Sequence, residues 1–100
     1  MTDLQNECYR VVEAIPVGKV MTYGAVGRAM NPPATPRAVG RLMRFAPPEI
    51  PWWRVVGAGG LLPIAKIDPA AAQEQRSRLE EERVTFGPSG TILESHFFVY

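Results

Sequence analysis

The sequence predicts a mainly α-helical single domain with a small β-sheet, organised around a helix-turn-helix of winged-helix-like kind. Apolar residues recur at helical spacing near the N-terminus and again over 36–44. Thr35-Pro36 and Asp68-Pro69 each place a capping side chain before a proline at the first helical position, a strong helix start. Extended pieces are short: Val20-Met21, Arg54-Val55-Val56, and the pair Val84-Thr85-Phe86 and Thr91-Ile92-Leu93.

Taken in order, Leu4, Cys8, Val11, Val12 and Ile15 form one face of a first helix capped by Thr2 or Asp3, and Pro16 and Gly18 stop it. Thr22 caps a second helix over about 23–30 that buries Val26 and Met30. Asn31-Pro32-Pro33 is a turn. The third helix runs from Pro36 to about Arg44 with Val39, Leu42 and Met43 inward. Pro47, Pro48 and Pro51 exclude a continuous helix over 45–53. Gly57-Ala58-Gly59-Gly60 is a turn. A fourth helix opens at Asp68-Pro69 and reaches about Arg83. Residues 84–93 form a small hairpin around Gly87-Pro88-Ser89-Gly90. The segment 94–100, with Phe97, Phe98 and Tyr100, is a tail that either packs on the core or frays.

Composition narrows the function classes. At 100 residues there is room for one domain, spanning 1–100. One Cys excludes an internal disulfide and fits a reducing, cytoplasmic setting, and one Cys with one His cannot build an ordinary zinc site. No apolar run approaches the ~20 residues of a membrane span. We expect no metal, no cofactor, no membrane partner, and a monomer.

The net charge of +1 hides a segregation. Over residues 16–66, Lys19, Arg28, Arg37, Arg41, Arg44, Arg54 and Lys66 face Glu49 alone, for +6, while residues 1–15 carry −2 and residues 67–100 carry −3. A basic block of this kind suits a polyanion, because phosphate contact releases counterions. It equally suits a solvated face neutralised by acidic neighbours in the fold.

The third helix places Arg37, Arg41 and Arg44 on one broad face, at steps of four and three residues. With the short second helix before it, this is the pattern of a helix-turn-helix whose second helix enters a DNA groove. Ala38 and Gly40 are small enough to allow close approach. Tyr23, in the first turn of the second helix, either packs across the cap or reaches a phosphate beside the helix N–H groups. Both tryptophans stand together in Ile50-Pro51-Trp52-Trp53-Arg54. On extended chain they would point opposite ways, one into the core and one onto a cavity, where an indole face can stack on a base.

These residues resemble a known family. Val12-Glu13-Ala14-Ile15-Pro16-Val17-Gly18-Lys19-Val20-Met21-Thr22-Tyr23-Gly24, then Thr35-Pro36-Arg37-Ala38-Val39-Gly40, then Ile50-Pro51-Trp52-Trp53-Arg54-Val55-Val56, closely resemble the DNA-binding and active-site domain of O6-alkylguanine-DNA alkyltransferases over residues 8–86. That family carries Pro-Cys-His-Arg-Val where this chain has Pro51-Trp52-Trp53-Arg54-Val55. Trp at the acceptor position is the mark of the alkyltransferase-like proteins, which the sequence resembles most.

The resemblance implies roles. Tyr23 matches the tyrosine that presses on the target phosphate and helps rotate the base out. Arg37 matches the arginine that fills the vacated place in the duplex, and Arg44 a further basic residue at the end of the recognition helix. Trp52 stands for the acceptor cysteine, Trp53 for the histidine that activates it, and Glu82 for the glutamate that orients the histidine. An indole N–H donates only and supplies neither nucleophile nor base, so no alkyl transfer is expected. Glu82 is then expected to be held by Arg54 or the Trp53 indole N–H. The implied DNA-binding set is Thr22, Tyr23, Arg37, Ala38, Gly40, Arg41 and Arg44. The implied lesion pocket is Tyr23, Pro51, Trp52, Arg54 and Lys66, with Ala65 or Lys66 on the loop 61–66 near the flipped base.

This chain departs from the family pattern in four places, one of them the loop 61–66, which is longer than in the true alkyltransferases. Ala46-Pro47 replaces an Asn-Pro hinge, Pro36 stands beside Arg37 where Ala is usual, and Arg83 replaces the Gly after the Glu. The expected function is non-enzymatic recognition of O6-alkylguanine in double-stranded DNA by base flipping, which marks the lesion for nucleotide excision repair proteins of the UvrA type. The rivals are an alkyltransferase with an atypical acceptor and a helix-turn-helix regulator without lesion preference.

Overall fold

The computed structural model describes residues 2–100. Helix α1 spans Asp3–Glu13, α2 Tyr23–Ala29, α3 Pro36–Met43 and α4 Pro69–Glu81. Strands β1 (Met21–Thr22) and β2 (Val55–Val56) pair in parallel, Met21 opposite Val55 and Thr22 opposite Val56. Short 3-10 turns cover Trp52–Arg54, Ala58–Gly60, Pro63–Lys66 and Glu94–His96.

The caps are those the sequence calls for. Thr2, Thr22, Thr35 and Asp68 each accept a hydrogen bond from the backbone N–H three residues on, and Gln5 returns a bond to Thr2 as a capping box. Pro36 and Pro69 sit in the first turns of α3 and α4, where a missing N–H costs nothing.

Two apolar clusters make the core. Cys8, Val11, Val12 and Ile15 of α1 meet Met21, Val26, Met30, Val39, Ile50 and Val55. Val20, Val56, Leu79, Val84 and Ile92 form the second, with Trp53, Leu62, Phe86 and Phe97 against it. The β1–β2 pair lies between them, since Met21 and Val55 face one cluster while Val20 and Val56 face the other, as period-two alternation requires.

The α2–α3 corner is held by an unusually close backbone approach. The Ala34 N–H donates to the Gly27 carbonyl at 3.0 Å, and a Cβ on Gly27 would run into the Ala34 carbonyl. Gly27→Ala is therefore expected to destabilise the fold by about 2–3 kcal/mol, read as a fall in denaturant midpoint at unchanged m-value. A neutral result would mean that the corner can open without cost.

Three expectations need correction. Leu4 does not join the buried face of α1: it is exposed, because the packed cluster begins only at Cys8. Residues 84–93 do not form two strands. A single bridge joins Phe86 to Ile92, flanked by Gly87 N–H to Thr91 O and Leu93 N–H to Thr85 O. Arms of three residues with Pro88 in the turn are too short for a ladder. The extended piece at 20–21 is shifted by one residue, to Met21–Thr22.

The tail, which the sequence leaves either to pack or to fray, is docked at residues 96–98 and held again at Tyr100, whose hydroxyl accepts from Arg10 Nη1 at 2.6 Å. Val20 forms a parallel bridge with Phe97, the Phe98 N–H donates to Val20 O at 2.8 Å, and Phe97 and Phe98 pack against the two clusters. The His96 ring ties it to the body: its Nε2 accepts from the Thr85 N–H at 3.0 Å, so its Nδ1 carries the proton and donates to Gly18 O at 3.1 Å.

Candidate nucleic-acid interface

The second face of α3 is unpartnered. Arg37, Arg41 and Arg44 are exposed, and among the described residues none takes part in an ion pair. The acidic side chains bond elsewhere: Glu7 with Arg10, Glu74 with Arg78, Glu80 with Arg76 and Glu82 with Arg54. The basic middle of the chain is thus not neutralised by its neighbours at α3, and three guanidinium groups stand free for an external anion.

These arginines border a cavity of about 510 Å³. Its walls are Tyr23 of α2, Pro36, Arg37, Gly40, Arg41, Met43 and Arg44 of α3, Trp52, the loop residues Pro63, Ile64 and Ile67, and Gln75 of α4. Basic rim, indole and apolar loop are therefore brought together by five separate chain segments. Gly40 faces open space where its side chain would be, so the helix backbone can be approached closely there. Tyr23 is largely buried, and desolvation holds its phenol above the usual value, so it stays a neutral donor.

The two tryptophans divide as expected, by a different geometry. Trp52–Arg54 is a 3-10 turn and not extended chain. The rings lie edge to face, centroids 6.1 Å apart at 85°, with Trp52 on the cavity and Trp53 against the second cluster. The guanidinium carbons of Arg78 and Arg54 lie 4.7 and 5.5 Å from the Trp53 ring centroid.

Behind Trp53 sits the one buried-side ion pair of the described residues. Arg54 donates to Glu82 from Nη2 at 2.7 Å and from Nε at 3.0 Å, and from Nη1 to the Ile15 carbonyl at 3.0 Å. Glu82 also accepts from Trp53 Nε1 at 2.8 Å and from the Gly18 N–H at 3.1 Å. Both partners expected for Glu82 are therefore present at once. Burial alone would raise the Glu82 carboxyl, but the bonds from Arg54, Trp53 and Gly18 and the Arg54 charge outweigh it and hold it below its ordinary value. Arg83, where the family pattern has Gly, adopts the left-handed conformation with φ 67°, a geometry that costs a residue with a Cβ on the order of 1 kcal/mol.

The expected site residues sort into two groups. Tyr23, Arg37, Gly40, Arg41, Arg44 and Trp52 share the cavity. Arg54 is not in it: each of its three guanidinium nitrogens donates to Glu82 or to the Ile15 carbonyl, so it braces Trp53 from behind. Pro51 is buried behind the turn, Ala65 and Lys66 are exposed on the loop without lining the cavity, Thr22 is spent as the α2 cap, and Ala38 is half-buried off the cavity wall. Sequence reasoning missed Pro36, Met43, Pro63, Ile64, Ile67 and Gln75. The apolar loop 61–67 carried a signal, two isoleucines in an exposed stretch, whereas Gln75 in a polar helix carried none.

The sole cysteine stands apart from this cavity. Cys8 is fully buried in α1, its Sγ 3.9 Å from Met43 Sδ, and burial pushes its thiol up to about 11.

Residues 3–84 match the family model for the DNA-binding domain of 6-O-methylguanine DNA methyltransferase. Alkyltransferase-like protein 1 of Schizosaccharomyces pombe is 41% identical over 87 residues, covering 84% of this chain and 79% of that protein. A DNA base-flipping protein of Escherichia coli is 36% identical over 86 residues, covering 84% of this chain and 64% of that one. The structure of S. pombe Atl1 in complex with damaged DNA containing O6-carboxymethylguanine aligns with a TM-score of 0.81 at 34% identity, covering 98% of this chain and 96% of that chain. Mycobacterium tuberculosis OGT in complex with DNA aligns at 0.70 and 28% identity, covering 83% and 51%.

Proposed function

The chain belongs to the 6-O-methylguanine DNA methyltransferase family through its DNA-binding domain, and from that premise we propose that it recognises O6-alkylguanine in double-stranded DNA without reacting with it. The observation that carries the reading is Trp52 on the wall of a 510 Å³ cavity rimmed by Arg37, Arg41 and Arg44. Arg41 and Arg44 hold the phosphates, Arg37 takes the place in the duplex that the damaged base leaves, and the extruded purine lies against the indole with its alkyl group toward Met43, Ile64 and Ile67. An O6-alkyl group removes the guanine N1 proton and weakens pairing, which lowers the cost of extrusion. The similarity to proteins whose structures hold damaged DNA supports the same assignment.

Transfer has no nucleophile here. The acceptor position is an indole, the next residue donates its N–H to Glu82, and the only thiol is buried outside the cavity. A base that is bound and never dealkylated makes a long-lived mark, and a nucleotide excision repair protein of the UvrA type is the partner that would use it.

The test is affinity for a duplex with one O6-methylguanine against the same duplex with guanine, with intact-protein mass measured after incubation. We expect preference for the lesion and unchanged mass. A gain of one CH2 would establish the alkyltransferase alternative, and equal affinities would establish a regulator without lesion preference. Arg37→Ala should weaken lesion binding about fivefold to tenfold, because nothing would fill the place left by the base. Wild-type affinity in this variant would remove Arg37 from the interface.

A further inference from the structure

Gln75 is the only polar residue of the described chain that is buried, at 3% exposure, and it lies on the wall of the cavity. Its Nε2 donates to two backbone carbonyls, Val55 O at 2.9 Å and Trp53 O at 3.2 Å. Carbonyls accept only, so the amide nitrogen must face them and the orientation of the side chain is fixed. The Oε1 is forced to the opposite side, and among the described residues it accepts no hydrogen bond and is not sealed away from the cavity. A fixed acceptor in an otherwise apolar corner, formed by Trp52, Pro63, Ile64 and Ile67, is costly to leave without a donor when a ligand displaces water.

We propose that Gln75 is a specificity-determining residue whose Oε1 accepts a hydrogen bond from the 2-amino group of the extruded purine. The assignment rests on the lesion-binding reading above. The chemistry of the ligand narrows the donor to one. Alkylation at O6 leaves N1 without a proton, N3 and N7 are acceptors, and N9 is joined to the sugar. The exocyclic 2-amino group is the only N–H donor left on the base. Trp52 gives a face that any planar base can use. Gln75 adds the directional contact that separates a 2-aminopurine from a purine without that group, because a base lacking the donor leaves the buried acceptor unmet. The same side chain ties α4 to β2 and to the Trp52–Arg54 turn, so the acceptor is held on rigid elements.

The test compares three duplexes that differ at one position, O6-methylguanine, 6-methoxypurine and guanine, against the wild type, Gln75→Leu and Gln75→Lys. 6-Methoxypurine differs from O6-methylguanine only by the missing amino group. Leu removes both functions of the amide and carries the risk of loosening the two carbonyls. Lys can donate to the same carbonyls but cannot accept, so it separates the structural role from the recognition role. Thermal melts identify the folded variants. The wild type should bind O6-methylguanine about tenfold more tightly than 6-methoxypurine, and in Gln75→Lys that ratio should fall to near one. The ratio is read because an added positive charge raises affinity for every duplex alike. A wild-type ratio near one, or a ratio unchanged in folded Gln75→Lys, overturns the proposal while preference over guanine still stands. Loss of preference for O6-methylguanine over guanine in the wild type overturns the lesion-binding reading itself.

Discussion

Glu82→Ala should lower the stability of the domain by about 3 kcal/mol, a fall of roughly 15 °C in melting temperature for a domain of this size. The side chains of Glu82 and Arg54 are each only 13% exposed. Removing the carboxylate leaves the Arg54 guanidinium, the Trp53 Nε1–H and the Gly18 N–H without their acceptor in a place water reaches poorly. Glu82→Gln, which keeps one acceptor oxygen and the shape, should lose less. The effect carries a pH signature. The native carboxyl is held below the ordinary value of 4.5, so its contribution is complete above that value and is lost as pH falls through the lower native one. The stability gap between wild type and Glu82→Ala should therefore be constant from neutral pH down to about 5 and close below about 4. A gap independent of pH down to 3 would show that the carboxylate charge is not what the cluster uses.

Trp52→Ala should reduce affinity for an O6-alkylguanine duplex by about tenfold or more, the scale of one base–aromatic stack at 1–3 kcal/mol. Affinity for undamaged DNA should change little, because that rests on the phosphate contacts of Arg41 and Arg44. Fluorescence anisotropy at fixed salt checks both numbers, and the slope against salt concentration should match the wild type. Trp52→Phe should recover part of the preference. An Ala variant that is stable and keeps the full lesion preference would place the base elsewhere in the cavity.

The two variants probe adjacent residues with separate tasks. Trp52 presents its face to the cavity, whereas Trp53 is fixed by Glu82 Oε2 and lies against the guanidinium groups of Arg54 and Arg78. A buried, charge-assisted cluster behind the wall makes the wall stiff, and a stiff indole stacks with less loss of freedom on binding. Trp53, Arg54 and Glu82 thus form a brace behind Trp52.

Much of this was legible in the chain because its signals are local. Thr22, Thr35 and Asp68 cap the helices that the sequence assigns to them, since a capping bond spans only three residues. The spacing of Arg37, Arg41 and Arg44 placed them on one face of α3 because helix geometry alone decides it. The motif around Trp52 points to the family, and the family's glutamate position implies that Glu82 is held by Arg54 or by the Trp53 indole N–H, a group that can only donate.

What the sequence could not decide was which side of a wall each side chain takes. Arg54 stands two residues from Trp52 and faces away from the cavity, because Glu82, 28 residues later, offers it a carboxylate. Lys66 lies in the loop yet stays outside the cavity, while Ile64 and Ile67 on either side line it. Gln75 reads as an ordinary polar position of α4, and only the docking of α4 on β2 buries it and fixes its amide. Helices, caps and charged faces depend on neighbours within a few residues and are written in the sequence. The cavity depends on five segments meeting, and its membership is set by long-range bonds that satisfy buried polar groups, which only the tertiary structure arranges.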